Sequence, residues 1–162
     1  MKTLRRCFEY LDRNHIRYSH SLHAPAYTAR DVAVAECMPI HEFVKTVVYS
    51  GDRGFGMVLA PGDYQVNLEE VRRILGLDYT RLATEAELAN LFPDSELGAM
   101  PPLGNAVELP VIADISLMSA EFIAFNAGTH RDLIRLSFTD FCRIVNPRIA
   151  AVANRKAVTA NA

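Results

Sequence analysis

Phe43-Val-Lys-Thr-Val-Val-Tyr49, then Asp52-Arg-Gly54, then Phe55-Gly-Met-Val-Leu-Ala60 is the stretch on which the fold turns. The first run is rich in β-branched and aromatic residues, as a strand requires. Asp-Arg-Gly reads as a turn, so the second run is the returning strand of a hairpin. Pro61-Gly62-Asp63 is a further turn. Strand periodicity puts Phe43, Lys45, Val47 and Tyr49 on one face. A lysine on such a face is seldom buried without a partner. Either it points into a polar cleft, where an ammonium holds a phosphate or polarises a carbonyl, or it guards a sheet edge or snorkels to water.

Helical patterns flank this hairpin. Leu4, Cys7, Phe8 and Leu11 follow i, i+3, i+4, i+7 and define one face of an amphipathic helix that ends near Asn14-His15. Ile16, Tyr18 and His20 alternate with polar neighbours, as in a short half-buried strand. Thr28-x-x-Asp31 resembles a capping box with Asp in place of Glu, opening a helix to about Ala35 or Cys37 before Pro39. Asn67 caps a helix carrying Leu68, Val71, Ile74 and Leu75, closed by Gly76. Thr84-x-x-Glu87 opens another through Leu91. Val107 to Asp114, Phe122 to Asn126 and Leu133 to Leu136 are strand-like. Ser137 or Thr139 starts a last helix with Phe141, Ile144 and Val145. Paired strands with interspersed helices imply an α+β (mixed α/β) fold with a mixed, mostly antiparallel sheet. Residues 1–150 are expected to form one domain and 151–162 a fraying tail.

Composition narrows the function. The 162 residues are 50% hydrophobic and 22% charged, ordinary for a globular domain long enough for a substantial core. A formal net charge of −2 argues against a broad nucleic-acid-coating surface but allows a local basic patch. Cys7, Cys37 and Cys142 are widely spaced and odd in number, which fits reduced thiols in a cytoplasmic protein. No signal-peptide core follows Arg5-Arg6, and no apolar run approaches membrane-spanning length.

Gly98-Ala-Met-Pro-Pro-Leu-Gly104 reads as a stiff, glycine-bounded loop between apolar runs, Leu88 to Phe92 and Ala106 to Ala113. Pro101 and Pro102 fix φ and lack an N–H. Such a loop either is only a turn or presents backbone N–H groups to an ester or carboxylate oxygen. His130 follows Asn126-Ala-Gly-Thr129, a turn just past a strand, where a histidine is either a surface residue or a general base or donor. The spacing His15-x4-His20-x2-His23 is not a familiar zinc pattern, and no metal or other cofactor is expected. Cys7 and Cys142 lie on apolar helix faces, more like inert thiols than nucleophiles. No G-x-S-x-G elbow, phosphate-binding P-loop or dinucleotide fingerprint is present.

Taken together, Val44-Lys45-Thr46-Val47-Val48, the G-x-x-x-P loop at Gly98–Pro102 continuing to Leu103-Gly104, and Phe125-Asn-Ala-Gly128-Thr-His130 with Leu133-Ile-Arg-Leu136 resemble the YbaK/prolyl-tRNA-synthetase-associated editing domains, the free-standing aminoacyl-tRNA deacylases. The likeness runs from about Leu4 to Pro147. It implies a barrel-like sheet surrounded by helices, and hydrolysis of the ester joining a wrong amino acid to the 3′-terminal adenosine of a tRNA. Water attacks directly, with help from the substrate's own ribose 2′-hydroxyl. By this likeness Lys45 holds the terminal phosphate or aminoacyl end, amides near Gly98 and Gly104 stabilise the oxyanion, and His130 supports the substrate. Thr46, Met100, Pro101, Pro102, Leu103, Asn126 and Gly128 line the substrate site. Leu103 stands where many relatives have Phe, and Asn126 where some have Ser, so the rejected amino acid is left open among small side chains. The partners implied are a charged tRNA acceptor end and a synthetase, with no membrane. A non-catalytic module that binds an amino acid or aminoacyl-tRNA is the competing reading.

Overall fold

The computed structural model describes residues 2–104 and 107–157. In chain order the elements are α1 (Lys2–Arg13), β1 (Tyr18–Leu22), α2 (Ala29–Ala35), β2 (Val44–Gly51), β3 (Gly54–Pro61), β4 (Tyr64–Val66), α3 (Leu68–Leu75), β5 (Thr80–Leu82), α4 (Glu85–Leu91), β6 (Val111–Asp114), β7 (Phe122–Asn126), β8 (Asp132–Ser137), α5 (Phe138–Val145), β9 (Arg148–Ala150) and β10 (Ala153–Arg155).

The β2–β3 hairpin is in register from Val44↔Pro61 to Gly51↔Gly54. It is the centre of a five-stranded sheet ordered β5-β2-β3-β6-β9, in which β6 and β9 run parallel to their neighbours. An antiparallel three-stranded sheet, β1-β8-β7, meets it through a parallel bridge between Phe43 and Ala124. A short antiparallel pair, β10-β4, forms the third sheet. The architecture is α+β with mostly antiparallel pairing, as expected. The strands do not close into a barrel among the described residues.

Both faces of the hairpin are covered, which explains why β3 is apolar without alternation. Met57 and Leu59 join Val44, Val48, Phe125, Ile134, Leu11 and Phe141 in the main core. Val58, one residue out of phase, packs instead with Tyr49, Ile112, Val71 and Leu77 beneath α3. Local chemistry sets the helix boundaries. Thr28, Thr84 and Ser137 accept N–H groups from the third residue of their helices, and Asn67 accepts from both Glu69 and Glu70. Gly76 closes α3 at φ 64°.

Several expectations need correction. The strand expected from Val107 begins only at Val111, because the Val107 and Leu109 amides turn back onto the Gly104 carbonyl. Ala106, the start of the apolar run expected after the loop, lies outside the described residues. The tail expected to fray from residue 151 supplies β10, so the boundary expected at residue 150 falls between two paired strands. Residues 158–162 lie outside the described set. The anchor is Asp114, 1% exposed, whose Oδ1 accepts the N–H groups of Val152 at 2.9 Å and Ala153 at 2.8 Å. Its Oδ2 accepts from the Ser116 amide and hydroxyl. No described helix is long and apolar enough to cross a membrane.

Candidate functional site

Where the two larger sheets meet, the start of β2 borders a polar cleft of about 250 Å³. Lys45 and Thr46 form one wall, Gly98 and Met100 a second, and Asn126, at the end of β7, a third. Tyr27 and Thr28 ahead of α2, Gly62 after β3, and Lys156 after β10 complete the rim. Residues far apart in sequence therefore converge on Lys45.

Lys45 is partly buried and makes no hydrogen bond or ion pair to a described group. Burial, then the nearby Lys156 ammonium, pushes its pKa down to about 8, against the pull of Asp63. Asn126 is 9% exposed and its amide oxygen has no partner. A buried amide left unsatisfied at a cleft wall is suited to a ligand's polar group.

The 98–104 loop is stiff, but its amides are not free as expected. Gly98 adopts φ +84°, and its N–H points at the Met100 thioether, 3.3 Å away. Sulfur is a weak acceptor, so this N–H remains available to a stronger one. The Ala99 N–H is taken by the Glu96 carbonyl. Gly104 does not line the cleft. A Cβ there would lie 2.3 Å from Val111 Cγ2 and 2.7 Å from the Leu109 carbonyl, so its role is close packing at a turn. Pro102 and Leu103 are buried, with Leu103 in the main core. Pro101 and Leu103 face a separate, apolar cavity of about 70 Å³ against α1. The Leu-for-Phe difference therefore alters the core and that cavity, not the wall beside Lys45.

His130 and Gly128 brace the site from behind. The His130 ring donates from Nε2 to the Leu97 carbonyl at 2.8 Å, its backbone N–H donates to Glu96 at 2.9 Å, and Nδ1 is buried without a partner. The ring leans on Tyr27 with centroids 4.7 Å apart. Gly128 stands at φ +97°, where only glycine is comfortable. Its N–H and carbonyl pair with the Ala99 carbonyl and the Glu96 N–H, each at 2.8 Å. The turn that carries both is fixed by Asp132. Burial raises that carboxyl's pKa, but hydrogen bonds from Thr129 (2.6 Å) and His20 (2.7 Å) outweigh this, and the net shift is downward. His20 is thus held by Asp132 and His23 by the Ala24 carbonyl, so these two histidines serve separate local bonds.

Of the residues singled out in the sequence, the fold brings Lys45, Thr46, Gly98, Met100 and Asn126 to the cleft. His130 and Gly128 stand behind it, and Pro101, Pro102, Leu103 and Gly104 face elsewhere. Tyr27, Thr28, Gly62 and Lys156 were missed. Tyr27 left a trace in the sequence as an aromatic just ahead of an N-cap. It is 72% exposed at the cleft rim, with its ring against His130.

Residues 23–144 match the model of the aminoacyl-tRNA editing domain. Proline–tRNA ligase of Bacillus cytotoxicus is 37% identical over 71 residues, covering 44% of this chain and 12% of the ligase. That of Stenotrophomonas maltophilia is 31% identical over 142 residues, covering 80% of this chain and 23% of the ligase. The chain thus spans less than a quarter of the length of these ligases. A crystal structure of a candidate trans-editing enzyme for prolyl tRNA synthetase superposes with a TM-score of 0.83 at 24% identity, covering 97% of this chain and 99% of the other. A candidate signal transduction protein from Marinobacter aquaeolei superposes at 0.73 and 16% identity, over 91% of this chain and 30% of that one. These two likenesses establish the fold. The match over residues 23–144, three quarters of the chain, means that the chain belongs to the aminoacyl-tRNA editing domain family.

Proposed function

We propose that the protein is an aminoacyl-tRNA deacylase acting in trans, which hydrolyses the ester between a wrongly attached small amino acid and the 3′-terminal adenosine of a tRNA. The observation that carries this reading is the unpaired Lys45 in a cleft shared with Gly98 and Asn126. A cation without a salt bridge in a concave polar site suits an anionic substrate. The cleft, at about 250 Å³, falls below the ~300–1,000 Å³ of sites for drug-sized ligands, which favours a small aminoacyl group.

In this reading Lys45 holds the terminal phosphate or the aminoacyl end, Thr46 and Met100 flank it, and Asn126 meets the amino group or carbonyl. Water attacks the ester carbon, assisted by the ribose 2′-hydroxyl. The Gly98 N–H leaves the Met100 sulfur for the developing oxyanion, a contact worth ~3 kcal/mol in comparable sites. The C–O3′ bond then breaks, the proton from water passes to O3′, and free amino acid and uncharged tRNA leave. His130 keeps Gly98 in place through the Leu97 carbonyl and does not touch the ester. A synthetase, the prolyl enzyme by the relatives' names, is the natural partner.

One observation favours the competing reading of a binding module: the Ala99 N–H is already engaged, so the loop offers only one amide at Gly98–Ala99. The two readings separate on a panel of Ala-, Ser-, Cys- and Pro-tRNA followed under single-turnover conditions. Release of one or two amino acids above the buffer blank supports the deacylase. Saturable binding across the panel without release supports the module and refutes the deacylase.

A further inference from the structure

The segment after the family match, which ends at residue 144, contributes a charged residue to the cleft. Lys156 follows β10 and lines the same cavity as Lys45. Its place is set by the fold. Asp114 holds the Val152 and Ala153 amides, β10 pairs with β4, and the Lys156 N–H donates to the Asp63 carbonyl at 2.8 Å. The charges around this point are Lys45, Lys156, Arg155 and Asp63. Asp63 meets Arg155 at 3.4 Å through Oδ2, while its buried Oδ1 has no hydrogen-bond partner; its charge pulls on Lys45, yet neither lysine forms a salt bridge with it. Two ammonium groups held near one another in a cavity repel, which adds to the larger effect of burial in lowering the Lys45 pKa. Asp63 offsets only part of that repulsion, and a further anion between the two lysines would make the pair favourable. Asn126, buried with its amide oxygen unpartnered, lines the same cavity and offers a hydrogen bond to the same occupant.

We propose that Lys156 is a substrate-positioning residue that forms, with Lys45, a two-cation seat for the phosphodiester next to the 3′-terminal nucleoside of the RNA. The inference rests on the deacylase reading for its substrate, but the seat itself is a matter of binding. It assigns a role to a strand outside the family match, and it separates two tasks: Lys156 only binds, while Lys45 reaches both phosphate and aminoacyl end.

The test uses the full chain and its Lys156→Ala and Lys156→Arg variants. Binding of an uncharged CCA-ended RNA is followed by anisotropy over a range of salt and pH, with melting temperature as a check on folding. Loss of one charge-assisted contact weakens binding about tenfold. The slope of log affinity against log salt falls by about 0.7 for the lost single-strand phosphate contact. Lys156→Arg restores both. Removing the like charge also raises the Lys45 pKa, so the basic limb of the binding profile moves upward from about 8 in Lys156→Ala. A role confined to β10 folding would not move that limb. Unchanged affinity in Lys156→Ala, or weakened binding with salt slope and basic limb unmoved, overturns the seat. If the wild-type chain hydrolyses no aminoacyl-tRNA yet binds the RNA in this Lys156-dependent way, the seat stands and the deacylase reading falls.

Discussion

Gly128 is where backbone geometry most tightly controls the site, and replacing it with alanine tests the reasoning about the 96–100 loop. The residue stands at φ +97°, a conformation that costs an L-residue about 1–3 kcal/mol. The new Cβ would also lie 2.6 Å from Thr3 Cγ2 and 2.7 Å from Thr3 Cβ. Thr3 cannot simply rotate away, because its hydroxyl donates to the Asp94 carbonyl at 2.7 Å. Overpacking of this kind costs about 1–3 kcal/mol more. At ~2–4 °C per kcal/mol for a chain of this size, Gly128→Ala should melt about 4–24 °C lower. Thermal unfolding of Gly128→Ala, Thr3→Gly and the double variant separates the two causes. Thr3→Gly loses helix propensity on its own, but in the double variant it removes both close contacts, so the pair should couple by about 1–3 kcal/mol. Strict additivity would refute the steric argument. An unchanged melting temperature in Gly128→Ala would refute the backbone argument as well.

Asp114→Ala should destabilise the fold by about 1–3 kcal/mol for each amide donor left unpartnered, those of Val152, Ala153 and Ser116, and denaturant unfolding measures the loss. Lys45 has a folded pKa lowered to about 8, so the unfolded chain binds the proton more tightly. The resulting penalty on folding is full below pH 8 and fades as pH rises toward the unfolded value. Wild-type stability relative to Lys45→Met should therefore increase between pH 8 and about 10.5, and a flat difference would contradict the assigned burial. Burial pushes the Cys7 thiol up to about 12, whereas Cys37 is exposed. A thiol reagent at pH 8 should modify Cys37 first and leave Cys7 until the protein is denatured.

Local signals in the chain carried much of this structure. The hairpin, the Asn67–Gly76 helix, and the Thr28, Thr84 and Ser137 caps are written in neighbouring residues, and each forms where its pattern stands. The short strands β4, β5, β9 and β10 were not legible, because three residues hold too little periodicity and their pairing partners are remote. The tail shows why most clearly. Residues 153–155 read as a polar end, and only a buried carboxylate some forty residues away, Asp114, makes them a strand. At the site, Lys45 was legible as a lysine out of place on an apolar strand. That Leu103 and Gly104 turn away from the cleft was not legible, because a loop's sequence does not say which side faces it. Val111 occupies the space beside Gly104, and that contact is tertiary. Lys156 was missed for the same reason as its strand.

Single-turnover hydrolysis of the mischarged-tRNA panel by wild-type protein and by Lys45→Ala, at equal concentration and neutral pH, tests the central claim most directly. The account predicts rapid release of one or two small amino acids by the wild type, and in Lys45→Ala a loss of at least tenfold with the melting temperature preserved or raised. Release by Lys45→Ala at the wild-type rate would contradict it, because the cleft would then owe nothing to the cation around which it is built.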